Sequence, residues 1–254
     1  MGETDAPGGL GLPPTVTACL FDLDGVITKT AVVHAAAWRE TFDAFLRERE
    51  GPGFRPFSPH DYDAYVDGRP RSDGVRAFLA SRGITLPERP AGGNADPPGT
   101  LTVQGLGDRK NALLLAEIRA GGVEAYPGSL RYLTAVRAAG LGTAVVSSST
   151  NCLDVLRAVG AEDRFEVRID GVVAARRGLP GKPHPDTFLA AAAELGVAPE
   201  RAAVFEDALA GMDAGRSGGF GYVVGVDRVG QAAALRAHGA DTVVRDLAEL
   251  ERSA

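Results

Sequence analysis

Val16-Thr17-Ala18-Cys19-Leu20-Phe21-Asp22-Leu23-Asp24-Gly25-Val26 decides how the chain is read. Its apolar half predicts a short buried strand, and two carboxylates, one residue apart, emerge where that strand ends. In open α/β sheets, ligands bind outside the carboxyl ends of the strands. Two close carboxylates repel unless a cation or a proton comes between them. The pair therefore suits Mg²⁺, with one carboxylate oxygen left to attack phosphorus. The plainer alternative is a solvated Asp-rich turn, in which Gly25 only lets the chain bend.

Three segments further along weigh against a mere turn. Val145-Val146-Ser147-Ser148-Ser149 reads as a strand ending in hydroxyls, and Gly181-Lys182-Pro183 places one lysine in a constrained loop. Ala203-Val204-Phe205-Glu206-Asp207 reads as a strand ending in paired acids. Taken singly, each has an ordinary explanation: a Ser-rich turn, a solvated lysine, and for Asp207 a helix N-cap. Strands over 142–146, 167–170, 202–205, 221–226 and 242–244 alternate with helices over 129–139, 151–158, 185–195, 208–216 and 230–237, ahead of a last helical turn. That alternation predicts an α/β fold with a doubly wound parallel sheet.

The first strand is separated from the others by about 100 mostly helical residues, enough for an inserted second unit. Helices are expected over Ala31–Arg49, Ser72–Ser81 and Asp108–Arg119. The stretch Ile84–Gly107, rich in Pro and Gly, reads as a long loop of the kind that forms lids. The expected division is a flexible segment 1–14, a catalytic core of 15–30 and 125–254, and a helical cap 31–124. Such a cap closes over substrate and excludes water.

The 254 residues carry a net charge of −6, with 44% hydrophobic and 24% charged side chains. That balance fits a soluble enzyme and, lacking a basic run, argues against nucleic-acid binding. No apolar stretch is long enough to span a bilayer, and the start of the chain lacks the basic and apolar regions of a secretory leader. No membrane partner and a cytoplasmic location are expected. Cys19 and Cys152 read as small core residues rather than a disulfide framework.

Taken in order (nucleophile, hydroxyl, lysine, acid pair), the four segments resemble the motifs of the haloacid dehalogenase (HAD) superfamily of phosphohydrolases and phosphomutases. The resemblance implies a HAD-like, Rossmannoid core with an α-helical cap inserted between the first two motifs. It assigns Asp22 as the nucleophile that forms an aspartyl phosphate and Asp24 as the general acid/base. Ser147 would donate to a transferring phosphoryl oxygen, and Lys182 would offset the charge gathering there. Asp22, Glu206 and Asp207, with the backbone carbonyl of Asp24, would hold Mg²⁺.

Within that superfamily the chain looks most like the β-phosphoglucomutase-like family, in its actinobacterial-type branch. Asp22-Leu23-Asp24-Gly25-Val26-Ile27-Thr28, followed by Thr30, His34 and Trp38, is similar to that family's opening. The resemblance makes Thr30 and His34 a pair that links cap closure to positioning of the acid/base. It also makes Ser148, Ser149 and Asn151 part of a phosphate-binding loop, and Arg109-Lys110-Asn111 a cap segment in which Lys110 meets substrate. In Asp67-Gly68-Arg69-Pro70-Arg71, Gly68 and Arg71 keep the family pattern, Arg71 gripping the distal phosphate through a two-pronged guanidinium. The family's lysine position holds Asp67, and Arg69 stands by as a compensating cation.

The implied function is Mg²⁺-dependent phosphoryl transfer on a small phosphorylated sugar, by a monomer. A phosphomutase converting β-glucose 1-phosphate to glucose 6-phosphate comes first. The alternative is a sugar-phosphate phosphatase with the same nucleophile, in which Asp24 activates water. A catalytically silent binding protein on this fold is disfavoured by the presence of both aspartates.

Overall fold

A computed structural model describes residues 9–89 and 100–251 of the chain. In chain order its elements are β1 (Ala18–Phe21), α1 (Thr30–Glu50), α2 (Pro59–Tyr65), α3 (Arg71–Ser81) and α4 (Val103–Arg119). Then follow α5 (Pro127–Ala138), β2 (Gly142–Val146), α6 (Cys152–Ala158), β3 (Val167–Ile169), α7 (Gly171–Arg177) and α8 (Asp186–Glu194). The chain continues with β4 (Ala202–Glu206), α9 (Leu209–Ser217), β5 (Tyr222–Val226), α10 (Ala232–Ala237) and β6 (Thr242–Val244). A final 3₁₀ turn spans Leu247–Leu250.

The six strands form one sheet in the order β3-β2-β1-β4-β5-β6, every pair parallel. β1 sits between β2 and β4, so the winding reverses there, and the crevice at its C-terminal end is where such sheets bind ligands. Side chains of β1 alternate between two apolar layers, as a strand's twofold period demands. Cys19 and Phe21 join Tyr132, Val145, Phe205 and Val224 on one face. Ala18 and Leu20 join Val146, Phe188, Val204 and Met212 on the other. Phe21 stacks on Phe205 at 4.4 Å between ring centroids, fixing β1 against β4 immediately before their acidic ends. Cys19 and Cys152 are buried and free.

Helices α1 to α4 build a separate apolar cluster around Trp38, Phe42, Phe45, Phe57, Phe78 and Leu106. Two adjacent chain crossings tie this cluster to the sheet. Lys29 N–H donates to the Glu124 carbonyl at 2.8 Å and Tyr126 N–H to the Ile27 carbonyl at 2.9 Å. The Lys29 ammonium pairs with Glu124 alongside. Among the described residues no helix is long and apolar enough to cross a membrane.

The elements differ from expectation in four places. Helix α4 begins at Val103, five residues before Asp108, because the Thr102 hydroxyl caps it by accepting from Gly105 N–H. The glycines at 105 and 107 had suggested a loop; inside the helix they are spaces, since a Cβ on Gly107 would stand 2.9 Å from Arg71 Cδ. Residues 90–99 of the expected loop lie outside the described residues. Helix α2 was unforeseen, although Ser58 and Asp61 form a reciprocal capping box. Helix α7 was unforeseen too; Asp170 caps its start and Gly178, left-handed, ends it. Finally, residues 9–14 of the stretch expected to be flexible pack on the core. Leu10 is buried and its carbonyl accepts from the Tyr132 hydroxyl at 2.9 Å; residues 1–8 lie outside the described residues.

Candidate active site

Adjacent strands β1 and β4 deliver the acids to one point. Asp22 leaves β1 with its N–H bonded to the Phe205 carbonyl at 2.9 Å. Asp22, Glu206 and Asp207 each present a carboxylate oxygen within 4.8 Å of the others. Asp22 and Asp207 open on a cavity of about 500 Å³, whereas Glu206 and Lys182 lie behind them, fully buried. Lys182 Nζ donates to Asp22 Oδ1 at 2.5 Å and to the Val146 carbonyl at 3.0 Å, and stands 2.5 Å from Glu206 Oε1.

One ammonium among three buried carboxylates leaves an excess of negative charge that burial penalises. Desolvation accordingly pushes the Asp22 carboxyl well above its usual range, against the pull of Lys182. Asp207 is raised in the same sense, by burial and by the neighbouring acids. A divalent cation among them would reverse that direction. Two glycines make room for the cluster. A Cβ on Gly25 would stand 1.7 Å from Asp207 Oδ2, and one on Gly211 would stand 1.9 Å from the Glu206 carboxyl carbon. An all-oxygen, carboxylate-rich set of this kind fits a hard cation such as Mg²⁺. The N-cap alternative for Asp207 fails: Ala208 occupies the N-cap of α9, and no side chain caps it.

Asp24 points away from that cluster. Its Oδ1 accepts a short hydrogen bond from the Thr30 hydroxyl and faces His34 Nε2 at 3.5 Å, while Oδ2 accepts from Ser147 Oγ at 3.4 Å. Of the residues expected to hold a metal, Asp22, Glu206 and Asp207 lie together, and the side chain of Asp24 stands outside their group. Burial, helped by Lys110, lowers the His34 imidazole to about 4, so the ring is neutral near pH 7. Lys110 Nζ lies 3.1 Å from His34 Nδ1 and 5.3 Å from the centre of the Trp38 ring. With Nδ1 accepting, the ring proton sits on Nε2, facing Asp24. Burial also lowers the Lys110 ammonium to about 7.

A second group of side chains crosses the cavity. Arg71 Nη2 donates to Asn111 Oδ1 and to Thr150 Oγ1, both at 2.7 Å. Asn151 Nδ2 donates to the same Asn111 oxygen at 2.8 Å. Asn151 is the N-cap of α6 but makes no side-chain cap, which leaves its amide for this contact. Ser148 Oγ donates to the Gly68 carbonyl at 2.7 Å. Gly68, with φ +70°, presses so closely on the core that a Cβ would sit 2.9 Å from Ala208 Cβ. Beside it Asp67 neighbours Tyr62, and burial raises its carboxyl to about 7.

Ser147 is buried and receives the Ser149 N–H at 3.0 Å, so the hydroxyl strand end is itself an ordered turn. His34, Gly68, Arg71, Lys110, Ser148 and Ser149 line the cavity. Thr30 and Asn151 do not line it; Thr30 touches Asp24, and Asn151 touches Asn111. Arg109 is exposed. Thr150 and Asn111 carry contacts that the sequence reading gave to their neighbours.

Residues 16–219 match a family model described as haloacid dehalogenase-like hydrolase. The chain is 55% identical to a β-phosphoglucomutase of Mycobacterium bovis, over 95% of this chain and 94% of that protein. It is 33% identical to a β-phosphoglucomutase of Bacillus subtilis, over 92% and 91% of the two chains. The crystal structure of a Clostridium difficile β-phosphoglucomutase superimposes with a TM-score of 0.74 at 26% identity, covering 92% of this chain and 93% of that one. The chain belongs to the haloacid dehalogenase-like hydrolases and is an enzyme, a phosphomutase or a phosphatase.

Proposed function

We propose that the chain is a β-phosphoglucomutase, a cytoplasmic monomer that converts β-glucose 1-phosphate to glucose 6-phosphate. The observation that carries this reading is the double anchoring of Asp24. Its carboxylate accepts from the hydroxyls of Thr30 and of Ser147 in β2's exit loop, and His34 of α1 faces it at 3.5 Å. His34 stands there only when residues 31–124, taken as a cap, are docked on the core, which excludes water. A phosphatase needs water at that step; a mutase is served by keeping it out.

With Asp22 phosphorylated by the 1,6-bisphosphate, Asp24 takes the proton from the free hydroxyl of β-glucose 1-phosphate, whose oxygen attacks the phosphoryl group and releases Asp22. The bisphosphate so formed reorients. Asp22 then attacks its other phosphorus, the bond to the sugar oxygen breaks, and Asp24 gives its proton to that oxygen, which frees glucose 6-phosphate. Asp22, Asp207 and Glu206 would hold Mg²⁺, which supplies Lewis-acid stabilisation of the phosphoryl oxygens when bound. Lys182 aims Asp22 and, together with the cation, opposes the burial that favours its protonated form. Arg71 and Ser149 grip the phosphate that is not transferring, Asn151 steadies Asn111 beside Arg71, and Lys110 and Asp67 face the sugar.

The test supplies β-glucose 1-phosphate with Mg²⁺ and a trace of the 1,6-bisphosphate, and follows glucose 6-phosphate and free phosphate together. Isomer without phosphate is expected; phosphate alone overturns the mutase in favour of the phosphatase. Asp22→Asn is expected to abolish the phosphoenzyme, and normal turnover of that variant would reject the nucleophile.

A further inference from the structure

Outside the cavity lining, the loop between β5 and α10 touches the backbone of both acidic turns. Arg228 Nε donates to the Gly25 carbonyl at 2.9 Å, and Nη2 reaches the Val26 carbonyl at 3.4 Å and Ser129 Oγ at 3.3 Å. Its guanidinium lies 3.5 Å from the centre of the Tyr126 ring, and Nη1 donates to the Arg245 carbonyl at 2.5 Å and to Asp246 Oδ2 at 3.2 Å. Three residues on, Gln231 Nε2 donates to the Asp207 carbonyl at 2.9 Å. The loop is itself closed: Asp227 Oδ1 accepts from Gly230 N–H at 2.7 Å and Gln231 N–H at 2.8 Å. The Asp227 N–H is bonded to the Val244 carbonyl of β6 at 2.7 Å.

We propose that Arg228 and Gln231 are positioning residues that set the spacing between the Asp22–Gly25 turn and the Asp207 turn, and so the affinity of the site for Mg²⁺. The two turns leave different strands and carry mutually repelling carboxylates. Without a tie they spread apart. The β1–β4 ladder ends at the Phe21–Phe205 pair with one more bond, from Asp22 N–H to the Phe205 carbonyl, so it does not tie Asp24 and Gly25 to Asp207. Arg228 grips one turn and Gln231 the other, from a single closed loop, through carbonyls and not through the carboxylates. Neither side chain lines the cavity, so neither meets substrate. Outer partners of this kind typically change metal affinity about 10-fold to 100-fold when removed.

The proposal rests on the metal site described above, and the experiment separates the two. Mn²⁺, which takes the same oxygen ligands, is titrated into the full chain without substrate and followed by electron paramagnetic resonance. Asp207→Asn is expected to lose the bound signal; if it binds as well as the unaltered chain, the metal site itself is misplaced. With that site established, Arg228→Lys and Gln231→Leu are each expected to weaken Mn²⁺ about 10-fold, with KM for sugar phosphate little changed. Arg216→Ala is the control. That side chain bonds the Gly239 carbonyl and Asp241 at the opposite edge of the sheet, and its loss is expected to lower Tm without altering Mn²⁺ binding. Mn²⁺ affinities within twofold for both variants overturn the proposal, as does a loss that tracks Tm equally in all three. Should Arg228→Lys fail to fold, Gln231→Leu decides alone.

Discussion

The chain has three lysines, and each lives in a different electrostatic setting. Lys29 pairs with Glu124 in solvent, Lys182 is enclosed by Asp22 and Glu206, and Lys110 is buried with its carboxylate partner beyond bonding reach. The first two are held above the ordinary lysine value, and Lys110 falls to about 7. Lysine side-chain NMR is therefore expected to show a single ammonium titrating near neutrality, lost in Lys110→Met. Because that folded value lies below the unfolded one, the unfolded chain binds the extra proton between about pH 7 and the usual lysine range. Stability from this group rises across that window as pH increases, and Lys110→Met should flatten the rise in a plot of urea midpoint against pH. Gly25 gives a sharper test of packing at a single position. Its φ is +85° and a Cβ would strike Asp207, whereas Gly51 has φ +78° with open space around it. Gly51→Ala is expected to cost about 1–2 kcal/mol of backbone strain and leave turnover intact. Gly25→Ala should add a loss in kcat of about 100-fold or more, as expected of a misplaced reacting group.

At the scale of elements, α3, α4 and the β2–α6 loop meet through Arg71, Asn111 and Thr150, which on the proposed function would hold the phosphate that is not transferring. Arg71→Ala removes a charged donor to Asn111 and Thr150 and is expected to raise KM by 10-fold or more, since hydrogen bonds to charged groups are worth about 1.5–3 kcal/mol. Asn111→Ala should raise KM less and leave kcat nearly unchanged in steady-state kinetics. The three strand-end motifs were legible because their acids and hydroxyls follow apolar runs directly, as in Val145-Val146-Ser147. Asp24 was legible as a residue but not in its orientation, which depends on Thr30 and His34 arriving from α1. Asn111, Arg228 and Gln231 were not assigned these contacts, because their partners lie far away in sequence or are backbone carbonyls, which leave no side-chain signature. The Ser58 and Asp61 capping box was available in the sequence for α2. The glycines at 105 and 107 misled, because close packing, of Gly105 on the Thr100 carbonyl and of Gly107 on Arg71, outweighs their poor helix propensity.

For the whole molecule, the acidic cluster joins strands that hold the sheet together, so a bound cation should be felt as global stability. At Mg²⁺ about 100-fold above its dissociation constant, the gain is about 2.7 kcal/mol. For a chain of this size that corresponds to a rise in Tm of roughly 5–10 °C, expected by scanning calorimetry and absent in Asp207→Asn. The doubly wound parallel sheet was readable from the alternation of strands with helices; the strand order was not, because it rests on pairings distant in sequence, nor was the docking of Leu10 on Tyr132, because Gly and Pro mask a single anchoring leucine. The neighbouring rungs at Ile27–Lys29 and Glu124–Tyr126 carry one more consequence. Since departure and return lie side by side, the intervening helices, which possess their own apolar centre, can be excised and the stumps rejoined by a few residues. The six-stranded remnant would keep its trio of acids yet lie open to the solvent. Such a miniature enzyme is expected to trade isomerisation for hydrolysis.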